Sequence, residues 1–118
     1  MQPEGRDAAY LLDMLEHARR ARDLASGRDL DEYLTNYEFR HAVERVVQII
    51  GEAASHISRQ FRQAHREIPW QDIIGMRVIL VHRYGSVRPA RVWETVMEDI
   101  PVLIAALDPL VPGPSEAA

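Results

Sequence analysis

The chain reads as an all-α protein, an antiparallel bundle of four to five helices. Three observations lead there. Apolar residues recur at intervals of three and four through most of the 118 residues, no segment alternates in the manner of a strand, and Gly27, Pro69, Gly85 and Pro89 punctuate the periodic stretches. One core suits this length, so residues 1–110 are expected to form a single domain, with 111–118 as a disordered tail rich in proline and small residues.

The first helix is expected from Asp7 to about Leu24, where Leu11, Leu12, Leu15, Ala18 and Leu24 share helical spacing and Gly27 follows as a stop. Arg19, Arg20 and Arg22 then face solvent. Leu30 to Asn36 is a short turn or helical lead-in that Asp29 or Asp31 can cap. The cleanest pattern comes next. Phe39, Val43, Val46, Ile50, Ala53, Ile57 and Phe61 are separated by 4, 3, 4, 3, 4 and 4 residues, which predicts one helix from Tyr37 to Ala64. Val47, Ile49 and Ala54 broaden the stripe, as contact with more than one neighbour requires. Pro69 starts another helix, which carries Ile73, Ile74, Met76, Leu80 and Val81 as far as Gly85. The last helix begins at Pro89 with Val92, Trp93, Val96, Ile100, Leu103 and Leu107 on one face. Pro101 interrupts it, freeing the carbonyl of Met97 and kinking the axis.

Composition narrows the function classes. The chain has no cysteine, so disulfides and thiolate metal sites are out of reach. The amino terminus lacks a secretory layout, and no apolar run approaches the roughly 18 residues of a membrane span, so a cytoplasmic protein with no membrane association is expected. Charge is segregated. Residues 1–53 hold 11 acids and 7 arginines, residues 54–93 hold 2 acids and 7 arginines, and residues 94–118 hold 5 acids and no base. The central block favours a phosphate-bearing partner, although charge alone fits a solvated helix face equally well. His17, His41, His56 and His65 belong to no zinc motif, and the glutamates needed for a di-metal bundle are missing, so neither metal nor cofactor is expected.

His82 differs in setting. It emerges from the apolar run Val78-Ile79-Leu80-Val81 and stands among Arg77, Arg83 and Tyr84. Two readings remain open on these residues: a core histidine satisfied by a backbone carbonyl with Arg77 paired to an acid such as Asp72, or a phosphodiester-handling site. At about 100° per residue, Arg77 and Tyr84 fall nearly in line, while His82 lies about 140° from Arg77. A site therefore needs a helix break near Gly85 or a second copy of the chain.

At this point the sequence resembles the HepT-like branch of the HEPN superfamily. The matching residues are the R-x4-H-x-Y of Arg77, His82 and Tyr84, Ala42-Val43-Glu44-Arg45, Ile50-Gly51-Glu52-Ala53, Ile68-Pro69-Trp70, Ile74-Gly75-Met76, and Val92-Trp93 through Asp99-Ile100-Pro101. The resemblance implies the toxin subunit of a type VII-like toxin–antitoxin pair: a homodimeric, metal-independent endoribonuclease with its motif in a dimer cleft. It also implies a cognate nucleotidyltransferase antitoxin that attaches AMP to the motif tyrosine, with a larger hetero-oligomer as a possible assembly. By position, Arg77 and His82 become the catalytic pair and Tyr84 the AMP acceptor, with Arg83, Arg88 and Arg91 available to the RNA backbone. One position departs from the pattern. Family members usually carry a polar residue, often asparagine, after the motif arginine, and here it is Val78. The alternative class is a non-catalytic helical module that binds RNA, a nucleotide or a protein partner.

Overall fold

The computed structural model describes residues 5–82 and 89–111, and the side chains of all of these except 77–82. The described residues are helical with short connections and contain no strand. Helix α1 spans Gly5–Ala25, α2 Leu30–Thr35, α3 Tyr37–Ser55, α4 Arg59–Ala64, α5 Trp70–His82, α6 Pro89–Glu94 and α7 Ile100–Leu107. A π-helical segment, Thr95–Asp99, links α6 to α7, and a 3-10 turn, Asp108–Leu110, follows. With the short α2 and α4 set aside, α1, α3, α5 and the α6–α7 path form the four-membered bundle. None of the described helices is long and apolar enough to cross a membrane.

Helix α1 buries Leu11, Met14, Leu15, Ala18, Ala21 and Ala25 along one face, while Leu12 stays exposed. The main neighbour of α1 is α3. Gly27, at φ +74°, turns the chain out of the helix in the left-handed region that glycine enters without a Cβ clash. Asp29 then caps α2, accepting the Glu32 N–H at 2.9 Å, and Asn36 caps α3 by accepting the Phe39 N–H at 3.0 Å.

The stripe from Phe39 to Phe61 is buried at every position, but two helices carry it rather than one. Helix α3 ends at Ser55, and Ser58 starts α4 as its cap, with Oγ accepting the Phe61 N–H at 3.2 Å. Asp7 of α1 holds the break in place. Its carboxylate accepts the Ser58 N–H at 2.9 Å and the Ser58 hydroxyl at 2.6 Å. The spacing of four on each side of Ile57 therefore marks a corner that keeps both Ile57 and Phe61 in the core.

The corner fixes where α5 begins. Phe61 meets the Trp70 ring edge-on at 6.4 Å, and the Trp70 indole N–H donates to the His65 carbonyl at 2.9 Å. At the opposite end of α3, Trp93 of α6 packs against Phe39 and Tyr33 with ring centroids 5.8 and 5.2 Å away. Helix α5 thus leaves the carboxyl end of α3 and runs antiparallel to it, and the chain re-enters the described structure at the amino end of α3. Pro101 produces a π-helical segment: the Ile100 N–H reaches back five residues to the Thr95 carbonyl. Pro101 itself has no N–H to give the Met97 carbonyl four residues before it, and the π-helical turn lies immediately ahead of the proline. Beyond it α7 packs on α1, with the Arg19 guanidinium donating to Asp108 at 2.7 Å.

Candidate functional site

Arg77 and His82 both lie in α5, in its last two turns. Arg83, Tyr84 and Arg88 fall outside the described residues, as does the tail beyond Val111. Arg91 is exposed on α6. The expected site is thus visible as one helix end that holds two of its positions, together with one arginine on the next helix.

Beside that helix lies an open groove of about 550 Å³, walled by α3, by the first half of α5 and by the α6–α7 path. Val47, Ile73, Met76 and Leu103 make it largely apolar, and its charged lining residues are Arg91 and the acids Glu67, Asp72 and Asp99. Met76, the residue before Arg77, lines the same groove as Arg91, so the path from one to the other crosses this depression. Ile73, Ile74 and Met76 are only half-buried, packed against the edge of the core.

Gly75 stands in the middle of α5 and lines this groove. A Cβ built there meets no atom within 4 Å among the described residues, so none of them requires a glycine at this position. An interior helical glycine costs about 0.5–1 kcal/mol relative to alanine. The sequence shows Gly75 only as an isolated glycine inside a helical pattern, which is tolerated at that cost.

The other histidines sit away from this groove, each in local company. His17 Nδ1 is 2.8 Å from the Asp13 carbonyl, His56 stacks on Tyr10 at 4.8 Å, and His65 Nδ1 lies 3.3 Å from a Glu67 oxygen. The His41 ring lies 4.0 Å from that of Tyr37 on the first turn of α3. Among the described residues, no three His, Asp or Glu side chains gather into a group that can hold a metal ion.

Comparison with known proteins places the chain. The sequence profile of the family described as "Ribonuclease HepT-like" matches residues 14–110, which is most of the chain and includes all of α3 to α7. The "Putative RNase MJ1380" of Methanocaldococcus jannaschii is 37% identical over 93 residues, covering 79% of this chain and 85% of that one. The "Probable ribonuclease HepT" of Thermococcus cleftensis is 36% identical over 94 residues, covering 80% and 86%. A third relative, "Putative RNase TTE0752" of Caldanaerobacter subterraneus subsp. tengcongensis, is 32% identical over 94 residues, covering 80% and 84%. No solved structure matches the chain. With its helical bundle and its match to the profile over residues 14–110, the chain belongs to the ribonuclease HepT-like family.

Proposed function

We propose that the chain is the toxin subunit of a toxin–antitoxin pair, a homodimeric endoribonuclease that cleaves RNA without a metal ion through Arg77 and His82. The observation that carries this reading is the placement of both motif positions in the last two turns of α5 of a HepT-like chain, next to an open groove. In the proposed reaction His82 takes the proton of a ribose 2'-hydroxyl. The oxygen then attacks the adjacent phosphorus, and the bond to the 5'-oxygen of the next nucleotide breaks as that oxygen gains a proton. A histidine suits this proton traffic because it titrates near neutrality. Arg77 brings a fixed cationic fork to the phosphoryl oxygens as charge builds on them. Arg83, Arg88 and Arg91 bind the RNA backbone, which positions the strand without reading its sequence.

The dimer completes the site. Five helical steps lead from Arg77 to His82, a rotation of about 140°, so a straight α5 spreads the two positions over different faces. A second copy laid along the groove brings the two α5 helices together. Gly75 and the half-buried Ile73 and Met76 support this, since they leave room and apolar surface where the two-fold contact would form. A cognate nucleotidyltransferase, in this proposal, silences the toxin by attaching AMP to Tyr84. That adds bulk and negative charge where RNA must enter.

Expression in a bacterial host tests the proposal. The native chain should arrest growth, and His82→Ala should relieve the arrest at equal protein level. Co-expression with the nucleotidyltransferase should add the mass of AMP to the native chain and leave Tyr84→Phe unmodified. Arrest by the His82→Ala chain would remove the catalytic assignment. Val78, in place of the family's usual polar residue, favours a second reading in which the protein binds RNA without cleaving it. In that case neither form arrests growth while both bind RNA.

A further inference from the structure

An exposed aromatic ring stands at the end of the bundle where α5 finishes. Tyr37 is 64% exposed on the first turn of α3, and its backbone is fixed by the Asn36 cap. The ring is held from its own helix. His41, four residues on, packs against it with centroids 4.0 Å apart, and the Arg40 guanidinium lies 5.8 Å from its centre. Arg40 is itself anchored, donating to the Leu34 carbonyl at 3.4 Å. The core does not need Tyr37: Tyr33 and Phe39 are the aromatic residues of this region that are buried, and both pack on Trp93.

Position gives the ring a use. Trp93 places α6 at the amino end of α3, and α5 runs antiparallel to α3, so Tyr37 shares one end of the bundle with the helix end that carries Arg77 and His82. A tyrosine 64% exposed and held from its own helix, with a neighbouring cation, suits a nucleobase, because every base offers a π-face and arginine strengthens the stack. Exposed Glu38, next in sequence, makes a phosphate a poor occupant. Backbone phosphates are better served by arginines such as Arg91. We propose that Tyr37, supported by Arg40 and His41, is a stacking platform for an unpaired RNA base beside the cleavage motif. The proposal rests on the reading of the chain as an RNA-acting protein and adds a single-stranded substrate to it.

The test uses the full chain carrying His82→Ala and a short, mixed-sequence, fluorescein-labelled single-stranded RNA, with binding read by fluorescence anisotropy. Adding Tyr37→Ala should weaken binding about tenfold, the loss expected for one stacked base, while Tyr37→Phe should stay within about twofold. The sedimentation mass should be the same in all three proteins. Unchanged affinity in the Tyr37→Ala protein would overturn the platform. So would a change in its mass, which would make Tyr37 and the neighbouring exposed Leu30 and Leu34 a protein contact instead. Failure of the His82→Ala parent to bind RNA would remove the platform and the RNA-acting reading together. RNA binding that responds to Tyr37, in a protein whose native form cleaves nothing, would keep the platform and refute only the catalysis.

Discussion

Replacing Ser58 by alanine tests how the corner between α3 and α4 is held, and through it how α5 is placed. The Ser58 side chain does two things: Oγ accepts the Phe61 N–H to start α4, and the hydroxyl donates to Asp7 at 2.6 Å. Loss of a serine cap costs about 1 kcal/mol. Loss of the hydroxyl's bond to a solvent-exposed carboxylate costs about 1 kcal/mol more, and the backbone N–H of Ser58 still reaches Asp7. A total of about 2 kcal/mol corresponds to a fall in melting temperature of roughly 8 °C for a domain of this size. Thermal unfolding followed by far-ultraviolet circular dichroism reads it directly. Asp7→Ala alone should produce a comparable loss, and the double variant should fall well short of the two single effects combined, because both remove the same bond. A Ser58→Ala protein that melts within about 2 °C of the native one, or strictly additive variants, would refute the corner as described.

Three further outcomes follow. Gly75→Leu fills the groove beside α5 and should convert a dimer to a monomer in sedimentation equilibrium at unchanged helicity; a dimer of undiminished strength would separate Gly75 from the interface. Trp93→Ala empties the pocket between Tyr33 and Phe39 and should cost about 3–5 kcal/mol in urea unfolding, against a near-zero cost if that end of the bundle were loosely packed. Arg91→Ala should weaken RNA binding and lower the slope of log affinity against log salt by roughly 0.7, the share of one phosphate contact on a single strand; an unchanged slope would take Arg91 off the RNA path.

Much of the bundle was legible because burial follows helical period. Every residue of the stripe from Phe39 to Phe61 is buried, and so are Val92, Trp93, Val96, Ile100, Leu103 and Leu107. What the period concealed was the corner at Ser58. A spacing of four continues across it, and the partner that fixes it, Asp7, lies 51 residues away, where local pattern does not reach. Pro101 was legible as a disturbance but not in its form, since the sequence suggests a kink and the structure has a π-helical segment, Thr95–Asp99, just before the proline. In α1, Leu12 faces solvent because at about 100° per residue it falls outside the arc that holds the buried Leu11, Met14, Leu15, Ala18, Ala21 and Ala25. Of the candidate site residues that the sequence offers, Arg77 and His82 lie in α5 and Tyr84 lies outside the described residues. The groove beside α5 and the open space over Gly75 were not legible, because they depend on how three helices meet.

Cleavage of RNA by the purified protein tests the central claim most directly. Native protein and the His82→Ala variant, each checked for an intact fold by circular dichroism, are incubated with single-stranded RNA in excess chelator. The account expects the native chain to cut the RNA and leave 2',3'-cyclic phosphate ends, with no cutting by the variant. Equal cleavage by both proteins, or native cleavage that stops when the chelator is added, would contradict it.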